Sequence, residues 1–275
     1  MQKFEQTPIN KETKKEEVHE EKQLVRLSKE GRMSEISPES NPLPLMVDVR
    51  FPSEEVMNND EITVIASLHG QAADAGFSND IFTALQEQAI VVAPTTSRKT
   101  IFNPEENPNF DAWKTESFKG KNYADEVQDF QDGIDMGLEH IKDFTKGKKI
   151  KLVFMGDSLG AAMAADLAGK YSPDQIILLA PSLDLTPLKE EPLIGPDIPQ
   201  PDQLISNTSK SDVTVIRGTE DPFIPKEMAE QYTKKSGHFI DIEGAGHTFG
   251  QIPFLPGDSQ NKRKELIKAI KDSLK

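Results

Sequence analysis

Residues 151–169 read KLVFMGDSLGAAMAADLAG. An apolar run from Leu152 to Met155 stops at Gly156, and an alanine-rich stretch opens at Leu159. Continuous apolarity followed by small helix formers predicts a buried strand, a sharp turn and a helix. At the turn stands Gly156-Asp157-Ser158-Leu159-Gly160, a Gly-x-Ser-x-Gly. A serine there has its hydroxyl exposed on a strained backbone, and a side chain at either flanking position would crowd the neighbouring strand and helix. The N–H groups and dipole at the start of the helix favour an anion formed when the serine attacks. Ser158 is therefore the candidate nucleophile; the bland alternative is a tight strand-to-helix turn with no chemistry.

Working outward, short apolar runs alternate with helical stretches. Strands are expected at Leu45–Phe51, Ile62–Leu68, Ala89–Ala93, Ile150–Met155, Gln175–Ala180, Val213–Arg217 and Phe239–Ile242. Helices are expected at Ser78–Gln88, Tyr123–Phe144, Leu159–Gly169, Lys226–Lys235 and Lys262–Leu274. The long one carries Val127, Phe130, Ile134, Leu138 and Ile141 at 3–4-residue spacing, which makes one face apolar. Strand–helix alternation with strands buried on both faces predicts an α/β fold with a doubly wound, mostly parallel sheet flanked by helices. Ligands of such sheets bind at the carboxyl ends of the strands, where every motif named here falls. Pro181–Pro201 is too rich in proline for a long helix and is expected to form a short lid segment. Residues 1–40 are dominated by Lys, Glu, Gln and Ser and are expected to be a disordered extension or a loosely attached helix, leaving 41–275 as the folded domain.

A serine hydroxyl needs a base. Of five histidines, His19 lies in the charged extension, His140 on the polar side of a helix, and His69 in the loop after the Ile62–Leu68 strand. His247 lies in Gly244-Ala245-Gly246-His247, after the last strand, where a glycine-rich loop lets it reach back over the sheet. It is the expected base, with His238 the alternative. The acid that orients the imidazole is expected to be Asp221, in Gly218-Thr219-Glu220-Asp221-Pro222, with Asp184 as substitute and a plain turn role as the bland alternative. The three candidates follow one another along the chain as Ser…Asp…His. The loop Leu68-His69-Gly70-Gln71 can aim N–H groups into the cleft, so the oxyanion donors are expected to be the backbone N–H groups of Gln71 and Leu159, with His69 shaping the loop.

Composition narrows the partners. Residues 1–40 hold eight Lys/Arg and nine Glu, so they contribute −1 of the formal charge of −14, and the remaining −13 lies on 41–275. An acidic body argues against nucleic acid and anionic lipid. No cysteine is present, which excludes disulfides, thiolate metal sites and a cysteine nucleophile. No apolar run reaches the ~18 residues of a membrane span, and the N-terminus shows no apolar signal region, so the expected location is cytoplasmic. No metal or organic cofactor is implied; oligomeric state is not legible.

Together these motifs resemble the α/β-hydrolase superfamily over roughly residues 45–275. LHGQAADAG (68–76), APTTSRKTIFNPEENPNFDAW (93–113) and DGIDMGLEHI (132–141) are similar to the small carboxylesterase, lysophospholipase and acyl-protein thioesterase group, with dienelactone hydrolases close behind. That group's usual turn is Gly-Phe-Ser-Gln-Gly, from which Gly-Asp-Ser-Leu-Gly departs. The Gly-Asp-Ser-Leu string also matches GDSL-type hydrolases, but those carry an early serine and a late Asp-x-x-His, absent here. The resemblance implies two-step cleavage of a small-molecule carboxylic ester or thioester through an acyl-enzyme on Ser158, with Phe223 and the Pro181–Pro201 segment lining the acyl pocket. A peptidase or C–C hydrolase on the same scaffold, or a binding module that has kept the fold, are the alternatives.

Overall fold

The computed structural model describes residues 24–29, 43–71, 78–97, 109–185, 198–233, 237–251, 257–258 and 261–274. Its strands are β1 (Leu24–Lys29), β2 (Leu45–Arg50), β3 (Glu61–Leu68), β4 (Ile90–Thr95), β5 (Lys149–Asp157), β6 (Gln175–Leu179), β7 (Asp212–Gly218) and β8 (His238–Ile242). Its helices are α1 (Glu54–Met57), α2 (Asn79–Leu85), α3 (Phe110–Ser117), α4 (Tyr123–Ile141), α5 (Leu159–Tyr171), α6 (Pro201–Asn207), α7 (Lys226–Ala229) and α8 (Arg263–Ser273), with a 3-10 turn at Glu230–Thr233.

All eight strands form one sheet in the order β1-β2-β4-β3-β5-β6-β7-β8. From β3 to β8 the pairing is parallel, while β1 and β2 run antiparallel to their neighbours. The inner strands are apolar on both faces because helices cover both; every residue of β6 is buried. The chain winds from β3 to β4 on one side, then from β5 to β8 on the other. Strand order thus reverses between β3 and β5, and a crevice opens at their carboxyl ends.

Helix α4 starts with a reciprocal cap, Asn122 accepting from Asp125 N–H and Asp125 accepting from Asn122 N–H, each at 3.0 Å. It buries Phe130, Ile134 and Ile141, packing on β2, β4 and α5, while α2 packs on β4 and α8. Burial of a large apolar side chain stabilises by about 1.5–3 kcal/mol, so these faces hold the layers together.

The expected strands and helices are all present, most with shifted ends. Lys226–Lys235 is the exception: its described part splits at Glu230 into α7 and the 3-10 turn. Of the charged stretch 1–40, residues 1–23 and 30–40 lie outside the described residues, and the described part differs from expectation. Within it, Leu24–Lys29 is the edge strand β1, because Val25 and Leu27 pack against the core below β2 while Arg26 pairs with Asp48 at 2.7 Å and Lys29 with Asp132 at 2.9 Å. Alternating apolar and charged residues outweigh the polar composition of their surroundings. Of the expected lid, residues 186–197 lie outside the described residues; its end, Pro201, opens α6 as a first-turn proline.

Candidate active site

Ser158 joins β5 to α5 with φ 53° and ψ −115°. A residue with a Cβ takes this left-handed conformation only where its surroundings impose it. Here Ser158 N–H donates to Leu179 O at 2.9 Å, and Ala161 N–H donates to Ser158 O at 3.1 Å. The flanking glycines are a packing requirement. A Cβ on Gly156 would collide with the backbone of Gly160 and Ala161, and one on Gly160 with the carbonyls of Leu68 and His69. Helix α5 can therefore descend onto β5 and the end of β3 together.

His247, in the loop after β8, places Nε2 3.0 Å from Ser158 Oγ, although the two residues are 89 apart in sequence. Its Nδ1 lies 2.9 Å from Asp221 Oδ2. Asp221 follows β7 and is fixed by two donors on its other oxygen, Phe223 N–H at 2.8 Å and Ile224 N–H at 3.1 Å. A carboxylate so held accepts from Nδ1–H, which leaves Nε2 free to accept the serine proton. Burial pulls the proton affinity of His247 down, but the hydrogen bond and charge of Asp221, with the charges of Asp157 and Asp258, outweigh it. The imidazole pKa is raised above its ordinary 6.5. Of the alternatives, His238 is exposed at the amino end of β8, away from the carboxyl ends that carry Ser158 and Asp221, and Asp184 is exposed while His247 bonds Asp221. The exposed ring of Phe223 stands edge-on to His247 at 5.3 Å between centroids.

At the end of β3, His69 Nδ1 meets Gly70 O at 3.0 Å and His69 Nε2 accepts from Thr96 N–H at 3.3 Å. Nδ1 must therefore carry the proton. In a trans peptide the C=O and N–H point to opposite sides, so pinning Gly70 O turns Gln71 N–H away from the imidazole. Gly70 itself lies against Ser158: a Cβ there would be 3.4 Å from that of Ser158. Leu159 opens α5, so its N–H has no carbonyl one turn back. Gln71 and Leu159 are the residues whose N–H groups the sequence leads one to expect as oxyanion donors.

Two supporting groups carry no motif and escape sequence reasoning. Asp258, fully buried, accepts from Thr248 N–H (2.9 Å), Thr248 Oγ–H (2.9 Å) and Gly250 N–H (2.8 Å), fixing the turn just after His247. Below the Leu68–Gln71 loop, buried Lys121 donates to Asp129 Oδ2 (2.5 Å), Ser97 Oγ (3.0 Å) and Ser97 O, and pairs with Glu126 (3.1 Å). Asp129 also accepts Ser97 N–H at 2.8 Å. This cluster locks Ser97, next to the Thr96 that meets His69. A lysine four residues before Asp125 in a helix-capping stretch reads as a surface residue, so only the fold exposes its role.

Neither a protein-family model nor a curated relative matches the sequence. Solved structures do. A dienelactone hydrolase from Anabaena variabilis superimposes with a TM-score of 0.56 over 91% of this chain and 96% of its own, at 14% identity. Carboxyl esterase 2 from Tuber melanosporum gives 0.56 over 94% and 87%, at 15% identity. A peroxisomal alpha-beta-hydrolase from Saccharomyces cerevisiae gives 0.59 over 92% and 86%, at 11% identity. The chain has the α/β-hydrolase fold. In an α/β-hydrolase fold a nucleophile after the central strand, an acid and a histidine follow one another along the chain. Ser158, Asp221 and His247 do so here, each beyond the carboxyl end of its strand.

Proposed function

We propose that this protein is a serine hydrolase that cleaves carboxylic esters or thioesters of small molecules. One observation carries the proposal: the hydrogen-bonded line Ser158 Oγ to His247 to Asp221, at 3.0 and 2.9 Å. His247 takes the serine proton as Oγ attacks the carbonyl carbon. The carbonyl oxygen becomes an oxyanion, held by the N–H groups of Gln71 and Leu159 at the start of α5. His247, now protonated and stabilised by Asp221, gives its proton to the departing alcohol or thiol, leaving an acyl group on Ser158. Water enters, loses a proton to His247 and releases the acid, restoring the serine. The names of the dienelactone hydrolase and carboxyl esterase neighbours are in keeping with ester chemistry.

A panel of p-nitrophenyl esters tests it. The wild type should hydrolyse acetyl and butyryl esters at least as well as long-chain ones, and Ser158→Ala should lose about a thousandfold or more of kcat. Equal turnover by the variant would refute the assignment.

A further inference from the structure

We propose that Asp157 selects substrates: its carboxylate, standing beside the nucleophile with no bonding partner among the described residues, receives a positively charged nitrogen. The preferred esters or thioesters then carry an ammonium group close to the scissile bond. This rests on Ser158 being the nucleophile, as argued above.

Asp157 is the last residue of β5, immediately before Ser158. Its Oδ2 lies 3.6 Å from the point where a side chain on Gly70 would begin, so the carboxyl sits where the serine turn meets the oxyanion loop. Three carboxyl groups influence His247: Asp221, Asp157 and Asp258. Two are filled. Asp221 accepts from His247, Phe223 N–H and Ile224 N–H, and Asp258 from Thr248 and Gly250. Asp157 accepts no hydrogen bond among the described residues. The cation within electrostatic reach, Arg263, is already bound through two nitrogens to Asp80, at 2.6 and 3.0 Å.

Protein atoms crowd the Asp157 carboxyl, while the residue as a whole is half-buried. Burial raises its pKa, Asp221 and Asp258 push the same way, and His247 and Arg263 oppose them. An ionised carboxyl that is desolvated and unpaired is costly, and a partner of opposite charge relieves the cost. A neutral donor on the substrate would supply a hydrogen bond and no charge; a cationic nitrogen, quaternary or not, supplies the opposite charge itself. The −14 net charge of the chain enriches cations around the cleft. A phenylalanine at this position, as in the turn of the group the sequence resembles, could do none of this.

The test compares a butyryl choline ester with its uncharged isostere, 3,3-dimethylbutyl butyrate, on the full chain. The wild type should favour the cationic ester in kcat/KM by about tenfold, the effect of a partly screened ion pair, and Asp157→Asn should bring the ratio close to one. A misfolded fraction lowers both rates alike and leaves the ratio untouched. Both esters hydrolysed with the same ratio by wild type and variant would overturn this inference while leaving the hydrolase reading intact. Calorimetric titration with tetramethylammonium needs no turnover. Binding to the wild type and its loss in Asp157→Asn support the proposal, whereas no binding to the wild type, or equal binding to both, overturns it even if neither ester is cleaved.

Discussion

Under the proposed mechanism the imidazole of His247 must be neutral to accept the serine proton, and its pKa stands above 6.5. Raised affinity means that protonation persists to higher pH, so kcat/KM should fall on the acid side with a midpoint above 6.5 and hold above it. Replacing Asp221 by Asn removes the charge, and with the amide oxygen held by Phe223 and Ile224 N–H it turns an NH2 rather than an acceptor toward His247 Nδ1, so both influences that lift the pKa are lost. The acid midpoint should then move to lower pH, while kcat drops by about 10⁴, because the imidazole loses its tautomer and the stabilisation of its protonated form. A pH profile of kcat/KM for wild type and variant reads both effects; an unmoved midpoint would deny Asp221 its place. At this scale the sequence was informative where chemistry forces a pattern. The glycines around Ser158 and the loop around His247 are legible because the backbone there demands small residues. Asp157 and Asp258 were not, since a lone aspartate carries no sign of whether donors await it.

The elements that hold the Leu68–Gln71 loop depend on a charge cluster where β4 ends and α4 begins. Burial lifts the Asp129 carboxyl above its ordinary range, and Lys121 and Ser97 hold it back. The Lys121 side chain is 0% exposed and that of Asp129 2%, so removing the lysine leaves a buried carboxyl without its counter-charge. Lys121→Met should cost about 3–5 kcal/mol, read as a lower urea midpoint, and should slow ester turnover as Ser97, Thr96 and His69 lose their register. A variant as stable as wild type would show the cluster to be dispensable. Elements with strong periodicity, such as α4 and the inner strands, were readable from the chain. The helices α1, α3 and α6 were not: two have only 4 and 7 residues, and all lie in polar or proline-bearing stretches where neither period is established. β1 was hidden by the composition around it.

For the molecule as a whole, the site exists because the strand order reverses between β3 and β5. That reversal brings four loops from across the chain to one rim: Gly70 and Gln71, Ser158, Asp221 and His247. No stretch of sequence contains this meeting; only the chain order of the motifs and the parallel sheet imply it. Among the described residues no helix is long and apolar enough to cross a membrane. Under the proposed function, the hydroxyl of Ser158 is activated where these loops converge. A fluorophosphonate probe, followed by digestion and mass spectrometry, tests it most directly. The wild type should carry a single adduct on Ser158, and Ser158→Ala none. A folded wild type that takes up no probe, or an adduct on another residue, would contradict it.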